Sequence, residues 1–322
     1  MKIFIPNSAF LGNIEGFVRK LDLSQNDQFE VDFHPRWIAV HPFVLSSIAA
    51  LSAMNQRKGI SATGTAPDIK SMHYLTRMGL LKVLNLSPKK DITEHESAGR
   101  FIPISQIKNS TDLHNFITDM IPLLHAEAAE SDPIKYVISE LVRNVIEHSD
   151  SPDGAFICAQ YFKDTKRVAI GVADTGRGIL DHISKSHAVA NHRDALILAL
   201  RPGVTGTTHR FGGTETNAGA GLFFTRNIAK ASKNMFVIYS GSALYKLRHV
   251  KDERLLLFAD ATRDPCSIHS DMPNWPGTVI GIDIATDRSQ SFSALLQMIR
   301  TAYSVDVKSQ KKLVYKKPRF TS

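Results

Sequence analysis

A carboxylate followed by glycines, in Asp174-Thr175-Gly176-Arg177-Gly178, comes directly after the apolar run from Val168 to Ala173. The apolar run predicts a buried strand, so the carboxylate is expected at the end of that strand. There it can form the floor of a pocket, because Gly176 and Gly178 let a ligand approach the backbone. A simple turn is the alternative, since Asp and Gly are common turn residues.

A second glycine-rich segment, Gly219-Ala220-Gly221-Leu222, opens a helix predicted from Leu222 to Lys230. Glycines before a helix leave backbone N–H groups accessible to an anion, and the helix dipole favours phosphate there. The chain contains no G-x-x-x-x-G-K-[ST] sequence, which excludes the usual phosphate loop. A flexible loop ahead of a helix is the alternative.

Two polar residues, Glu140 and Asn144, lie four residues apart in a helix predicted from Pro133 to about His148, with Ser131-Asp132 as its cap. The spacing places both side chains on one face of that helix. This face could simply be solvated. An Asn inside a helix is unfavourable by propensity, however, and so hints at another role.

The elements that would position these residues follow from hydrophobic periodicity and chain breakers. Helices are predicted over residues 111–130, 133–148, 193–200, 222–230 and 291–303, and strands over 155–162, 167–173, 236–239, 255–258 and 279–284. Pro276-Gly277-Thr278 precedes the last strand, and Thr278 could reach a neighbouring carboxylate or a base. Helix pairs followed by strands suggest an α+β layer sandwich.

Taken in chain order, the four segments resemble the GHKL ATPases, a family that includes gyrase-type topoisomerases, chaperones, mismatch-repair ATPases, histidine kinases and anti-sigma-factor serine kinases. Glu140 to Asn144 is similar to the N box, Asp174 to Gly178 and Gly219 to Leu222 to the two glycine boxes, and Gly277-Thr278 to the closing Gly-Thr pair. The resemblance covers about residues 113–285. The run from Asn144 to His148 is most similar to the anti-sigma-factor kinases.

The resemblance implies an ATP site with Mg²⁺. Asn144 would hold the Mg²⁺, and Glu140 would act as the general base of an ATPase or a protein serine/threonine kinase. Asp174, assisted by Thr278, would accept from the adenine amino group. The remaining positions implied for nucleotide binding are Gly176, Gly178, Gly219, Gly221 and Leu222. Residues 180–218 would form a mobile lid over the nucleotide.

The first 85 residues resemble a STAS-type domain, as in anti-sigma-factor antagonists. The similarity lies in Trp37 to Val40, a helix ending at Lys58-Gly59, and Tyr74 to Leu80. Those antagonists carry a phosphorylatable Ser ahead of the helix, where this chain has His41-Pro42-Phe43, so phosphorylation at that position is not expected.

These resemblances predict an α/β chain in four parts. A STAS-like α/β domain would cover residues 1–85 and a linker 86–110. An α+β layer-sandwich GHKL (Bergerat) ATP-binding domain would cover 111–304, followed by a basic tail at 305–322.

Composition limits the class of protein and its partners. The formal net charge is +8, but the last 18 residues alone hold six Lys or Arg against one Asp, so the total implies no basic face on the folded body. Two cysteines are too few for a disulfide scaffold. No signal peptide or stretch of about 20 apolar residues is recognisable, which predicts a cytoplasmic protein without a membrane partner.

Several functions stay open at this point. The leading expectation is a partner-switching regulator that acts on or through a protein partner, and a homodimer is also open. A nucleotide-gated binding module or ATPase switch without phosphotransfer is the main alternative. A histidine kinase is disfavoured, because His125 lies too close to Glu140 for the usual dimerisation hairpin. The tail could bind nucleic acid, although a solvated end is preferred.

Overall fold

The structure, a computed structural model, describes residues 1–24, 27–88, 101–123, 128–204, 206, 220–249, 255–285 and 292–314. It is a mixed α/β structure with a large antiparallel sheet. None of the helices in these ranges is long and apolar enough to cross a bilayer.

The N-terminal part of the chain forms a small α/β unit, residues 1–88. Its strands β1, β3 and β5 form a three-stranded parallel sheet in the order β1-β3-β5, and β2 pairs with β4. The elements are β1 Lys2–Ile5, β2 Ser8–Ala9, α1 Glu15–Val18, β3 Phe29–Phe33, β4 Ala39–Val40, α2 Pro42–Arg57, β5 Ala62–Thr63, α3 Lys70–Arg77 and α4 Leu80–Leu84.

The rest of the described chain builds a seven-stranded antiparallel sheet in the order β11-β10-β9-β12-β8-β7-β6. Its elements are β6 Phe101–Ile107, α5 Ser110–Leu123, α6 Ala128–His148, β7 Ala155–Phe162, β8 Arg167–Asp174, α7 Ile179–Ile183, α8 His192–Ala199, α9 Gly221–Ala231, β9 Phe236–Gly241, β10 Ala243–Leu247, β11 Cys266–His269, β12 Trp275–Ala285 and α10 Phe292–Val314.

Both faces of this sheet are covered. On one face Val168, Ile170 and Val172 of β8 share a hydrophobic core with α5, α6, α9 and α10. On the other face Ala173 belongs to a core shared with the N-terminal unit. Strands buried on both faces read as continuous apolar runs, which is why β8 was recognisable in the sequence.

Helix α2 packs directly on β8 and β7, so the N-terminal unit is a layer against the sheet. A Cβ on Gly171 would overlap the backbone of Pro42, which shows how closely helix and strand approach. Polar contacts join the same two parts. The His41 imidazole accepts the Phe43 N–H at Nδ1 (2.9 Å), so its Nε2–H donates to Asp283 (3.2 Å).

The predicted linker, residues 86–110, contains a structural strand. Phe101–Ile107 forms β6, the edge of the large sheet, and pairs with β7 in antiparallel register. Residues 101–107 are therefore part of the large sheet, and α2 of the N-terminal unit contacts the same strand β7 that β6 pairs with.

Three local expectations also differ from the structure. Helix α6 begins at Ala128, and Pro133 lies inside it, where we expected the first turn. Residues 255–258 form no strand, whereas β10 and β11 were not predicted. Helix α10 extends to Val314, so the first ten residues of the predicted basic tail are helical, and the rest lies outside the described residues.

Candidate functional site

A cleft of about 280 Å³ opens between α6, α7, α9 and the neighbouring ends of β8 and β12. This volume is close to the lower end of the range for small-molecule sites, roughly 300–1,000 Å³. Seven predicted site residues line it: Glu140, Asn144, Asp174, Gly178, Gly221, Leu222 and Thr278. Gly176 lies beside the cleft without lining it, and Gly219 lies outside the described residues.

Asp174 ends β8 and forms the floor of the cleft, as its sequence context predicted. It is 1% exposed, and its Oδ1 accepts the Gly176 N–H at 2.8 Å. Burial raises its pKa to about 7, while the backbone N–H groups of Gly176 and Thr278 act in the opposite direction. Among the described residues no cation pairs with this carboxylate, and a buried carboxylate of this kind favours a ligand that donates a hydrogen bond.

Glycines surround Asp174 because side chains would not fit there. A Cβ on Gly277 would overlap Asp174 Oδ1, so only hydrogen fits beside this carboxylate. A Cβ on Gly176 would overlap the Ser149 carbonyl at the end of α6. Gly176 therefore permits close packing between the turn and α6, where we had expected it to admit a ligand.

The opposite end of the cleft is formed by α6 and the first turn of α9. A Cβ on Gly221 would lie 2.7 Å from Glu140 Oε2 and 3.3 Å from Asn144 Nδ2. The predicted acid, amide and helix start thus meet in one place, although about 77 residues of sequence separate Asn144 from Gly221. Burial raises the pKa of Glu140, and Arg143 opposes that shift.

Asn144 carries an unsatisfied polar atom into this end of the cleft. Its Nδ2 is buried and makes no hydrogen bond among the described residues. Buried amides are normally paired, so the group is short of a partner that a ligand could supply. Among the described residues no cluster of three or more His, Cys, Asp or Glu side chains could hold a metal ion.

Thr278 lies opposite Asp174 in the β8–β12 register. Its hydroxyl, however, donates to Ser240 Oγ at 3.3 Å on the neighbouring strand β9. Sequence reasoning missed Ser240, which lies inside an apolar strand with no motif around it. Only the register of β9 against β12 reveals its position.

Two histidines form part of the wall. The rings of His148, at the end of α6, and His182, on α7, stack with centroids 4.7 Å apart. Burial lowers the pKa of His182 to about 4, and His148 and Arg177 add to the effect, so this ring is neutral at pH 7. The stack holds α7 against α6 beside the cleft.

The predicted lid, residues 180–218, is structured in its first half. It contains most of α7 and all of α8, which share a small core of Ile183, Ala195 and Val204. Of the second half only residue 206 is described beyond residue 204, so the remainder of this prediction lies outside the described residues.

A scan against models of known protein families finds no match for this chain, and a search of curated proteins finds none either.

Proposed function

We propose that this cleft binds ATP with Mg²⁺ and that the protein is a GHKL-type regulator with an N-terminal STAS-like unit. One observation carries the proposal. A buried carboxylate, Asp174, lies at one end of the cleft, and a carboxylate, an amide and a helix start meet at the other. An adenine amino group is a suitable donor for the first end, and phosphate suits the second.

The residues present fit a magnesium ion that is bound together with phosphates. Asn144 offers an amide oxygen, and its Nδ2 makes no hydrogen bond among the described residues that would fix the side chain from that side. Mg²⁺ commonly takes one or two protein ligands and completes its shell with phosphate oxygens and water. When bound, such an ion would neutralise phosphate charge.

Glu140 is the candidate general base in this proposal. Its carboxylate reaches the start of α9, where phosphate is proposed to bind, and burial raises its pKa towards the range useful for proton transfer. A carboxylate there can accept a proton from water, which gives an ATPase. It can equally accept one from a serine or threonine hydroxyl of a protein partner, which gives a kinase.

A nucleotide-gated binding module is the second candidate, and the packing of α2 favours it. The strand that ends in Asp174 is the strand on which α2 packs. A change at Asp174 could therefore reach the surface of the N-terminal unit through β8 without phosphotransfer. The affinity of a protein partner for the N-terminal unit would then depend on whether nucleotide is bound in the cleft.

Titration calorimetry of the full chain with ATP, in MgCl₂ and then in EDTA, tests the proposal. We expect saturable binding that weakens without Mg²⁺. Radiolabelled ATP then separates the candidates, since release of phosphate or labelling of a captured protein indicates an enzyme. No saturable binding of ATP under either condition would refute the proposed function.

A further inference from the structure

Ser240 is a buried hydroxyl at the Asp174 end of the cleft. It lies near the end of β9, is 1% exposed, and stands opposite Thr278 in the β9–β12 register. The sequence around Ser240 gives no sign of a role in the cleft, and the residue does not line the cleft in the structure.

The Ser240 hydroxyl connects two segments near Asp174, the start of β12 and the start of α7. It donates to the Gly277 carbonyl at 2.7 Å, and it accepts the Ile179 N–H at 3.0 Å and the Thr278 hydroxyl at 3.3 Å. One hydroxyl offers one donor and two acceptor positions, so these contacts use its full capacity.

Each of the three partners adjoins a position that shapes the floor of the cleft. Gly277 is the residue whose missing side chain leaves room for Asp174 Oδ1. Ile179 follows Gly178 and begins α7, and Thr278 provides a backbone N–H to Asp174. Ser240 therefore ties the start of α7 to the part of β12 that packs against the Asp174 carboxylate.

We propose that Ser240 is a positioning residue that gives the site its preference for adenine over guanine. This inference rests on the proposed ATP-binding function. If the role of Ser240 were purely structural, loss of its hydroxyl would lower stability and weaken the binding of all nucleotides alike. If Ser240 shapes the Asp174 end of the cleft, loss of its hydroxyl should instead weaken the binding of ATP selectively. Only adenine presents an amino group where the carboxylate needs a donor.

The experiment measures the dissociation constants of ATP and GTP by calorimetry, with Mg²⁺, for the wild type and three variants. Ser240→Ala should bind ATP about tenfold more weakly, the loss of about one hydrogen bond, with little change for GTP. Ser240→Thr keeps the hydroxyl and should retain the preference. Ser52→Ala removes another buried hydroxyl bonded to a carbonyl, Val83 O at 2.9 Å, in the N-terminal unit, and should leave both constants unchanged.

A fourth variant, at position 178, tests the same hydroxyl through a neighbouring residue. A methyl group at position 178 would lie 3.1 Å from Ser240 Oγ, and the φ of Gly178, −74°, suits alanine. Gly178→Ala should therefore reduce the ATP-to-GTP preference, and reduce it less in the Ser240→Ala background, where the obstructing oxygen is gone.

The outcomes separate the two proposals. If wild type binds ATP and Ser240→Ala keeps the wild-type ratio of ATP to GTP affinity, the inference is wrong and the proposed function stands. Additive effects of Gly178→Ala and Ser240→Ala would also contradict it. A wild type that binds no nucleotide overturns the proposed function and this inference together.

Discussion

Gly221 lies against Glu140 so closely that a Cβ there would be 2.7 Å from Oε2 of the carboxylate. The start of α9 and the polar face of α6 therefore meet directly, and the lack of a side chain at position 221 permits this close approach. Only glycine allows this approach without displacing the carboxylate of Glu140.

Gly221→Ala should weaken ATP binding by tenfold or more, because its methyl group would displace the Glu140 carboxylate and crowd Asn144. Alanine favours a helix more than glycine does, so the fold should be retained. Calorimetry with ATP and Mg²⁺ measures the effect, and Gly16→Ala is the control, since beyond its chain neighbours and its own helix backbone no atom of the described residues lies within 4 Å of the added carbon. Unchanged affinity would place the phosphates elsewhere.

Variants of Asn144 and Glu140 should separate ligand binding from turnover. Asn144→Ala should abolish the part of ATP binding that depends on Mg²⁺. Glu140→Gln should bind ATP almost normally but lose turnover by about 10²–10⁴-fold, since a general base acts mainly on the rate. Calorimetry and phosphate release measure the two effects. A wild type that binds ATP without hydrolysis or phosphotransfer would favour the nucleotide-gated module.

Asp174→Asn should weaken adenine nucleotide binding and leave the chain folded. The change replaces an acceptor with a group that also presents an N–H donor to the amino group of adenine, at a fully buried position. Calorimetry on the folded variant, checked by circular dichroism, tests this expectation. An affinity equal to that of wild type would show that Asp174 does not bind the nucleotide, and it would contradict the proposed GHKL-type site.

The pKa of Asp174 also predicts a pH dependence of stability. Burial raises this pKa to about 7, above the value of about 3.9 in an unfolded chain. The contribution of the Asp174 carboxyl to the free energy of unfolding is therefore fully present below about pH 4 and is lost as pH rises through about 7. The unfolding free energy of wild type, relative to Asp174→Asn, should fall by a few kcal/mol between pH 4 and 8.

Urea unfolding of both proteins at several pH values measures this difference. The Asn variant has no titrating group at position 174, so it corrects for every other ionisable residue. A difference that stays constant from pH 4 to 8 would show that Asp174 is solvated or paired in solution.

The sequence predicted the local features of the site better than the way the two parts of the chain are joined. Asp174, Glu140, Asn144 and Gly221 were recognisable because each follows a local pattern, and the structure brings them to one cleft. Ser240 could not be found, because its role depends on the pairing of β9 with β12, which no local pattern reveals.

The docking of the N-terminal unit was missed although β8 carries a signal for it. Large residues at Val168, Ile170 and Val172 alternate with the small Ala169, Gly171 and Ala173. The face of β8 with the large residues thus packs into a hydrophobic core, while the face with the small residues allows a helix to approach closely. Alternation of this kind indicates close packing, but it does not say which segment of the chain supplies the helix.

Gly171→Ala should separate the N-terminal unit from the sheet, because the added methyl would overlap the backbone of Pro42. Backbone atoms cannot move aside as a flexible side chain can, so α2 must shift away from β8. We expect a loss of stability of about 1–3 kcal/mol, typical of overpacking, with Gly16→Ala again as a nearly neutral control. Urea unfolding measures the loss, and hydrogen exchange should rise in α2 and β8 together. If exchange rose in α2 alone, the helix would be an independent layer, and β8 could not transmit a change at Asp174 to the N-terminal unit.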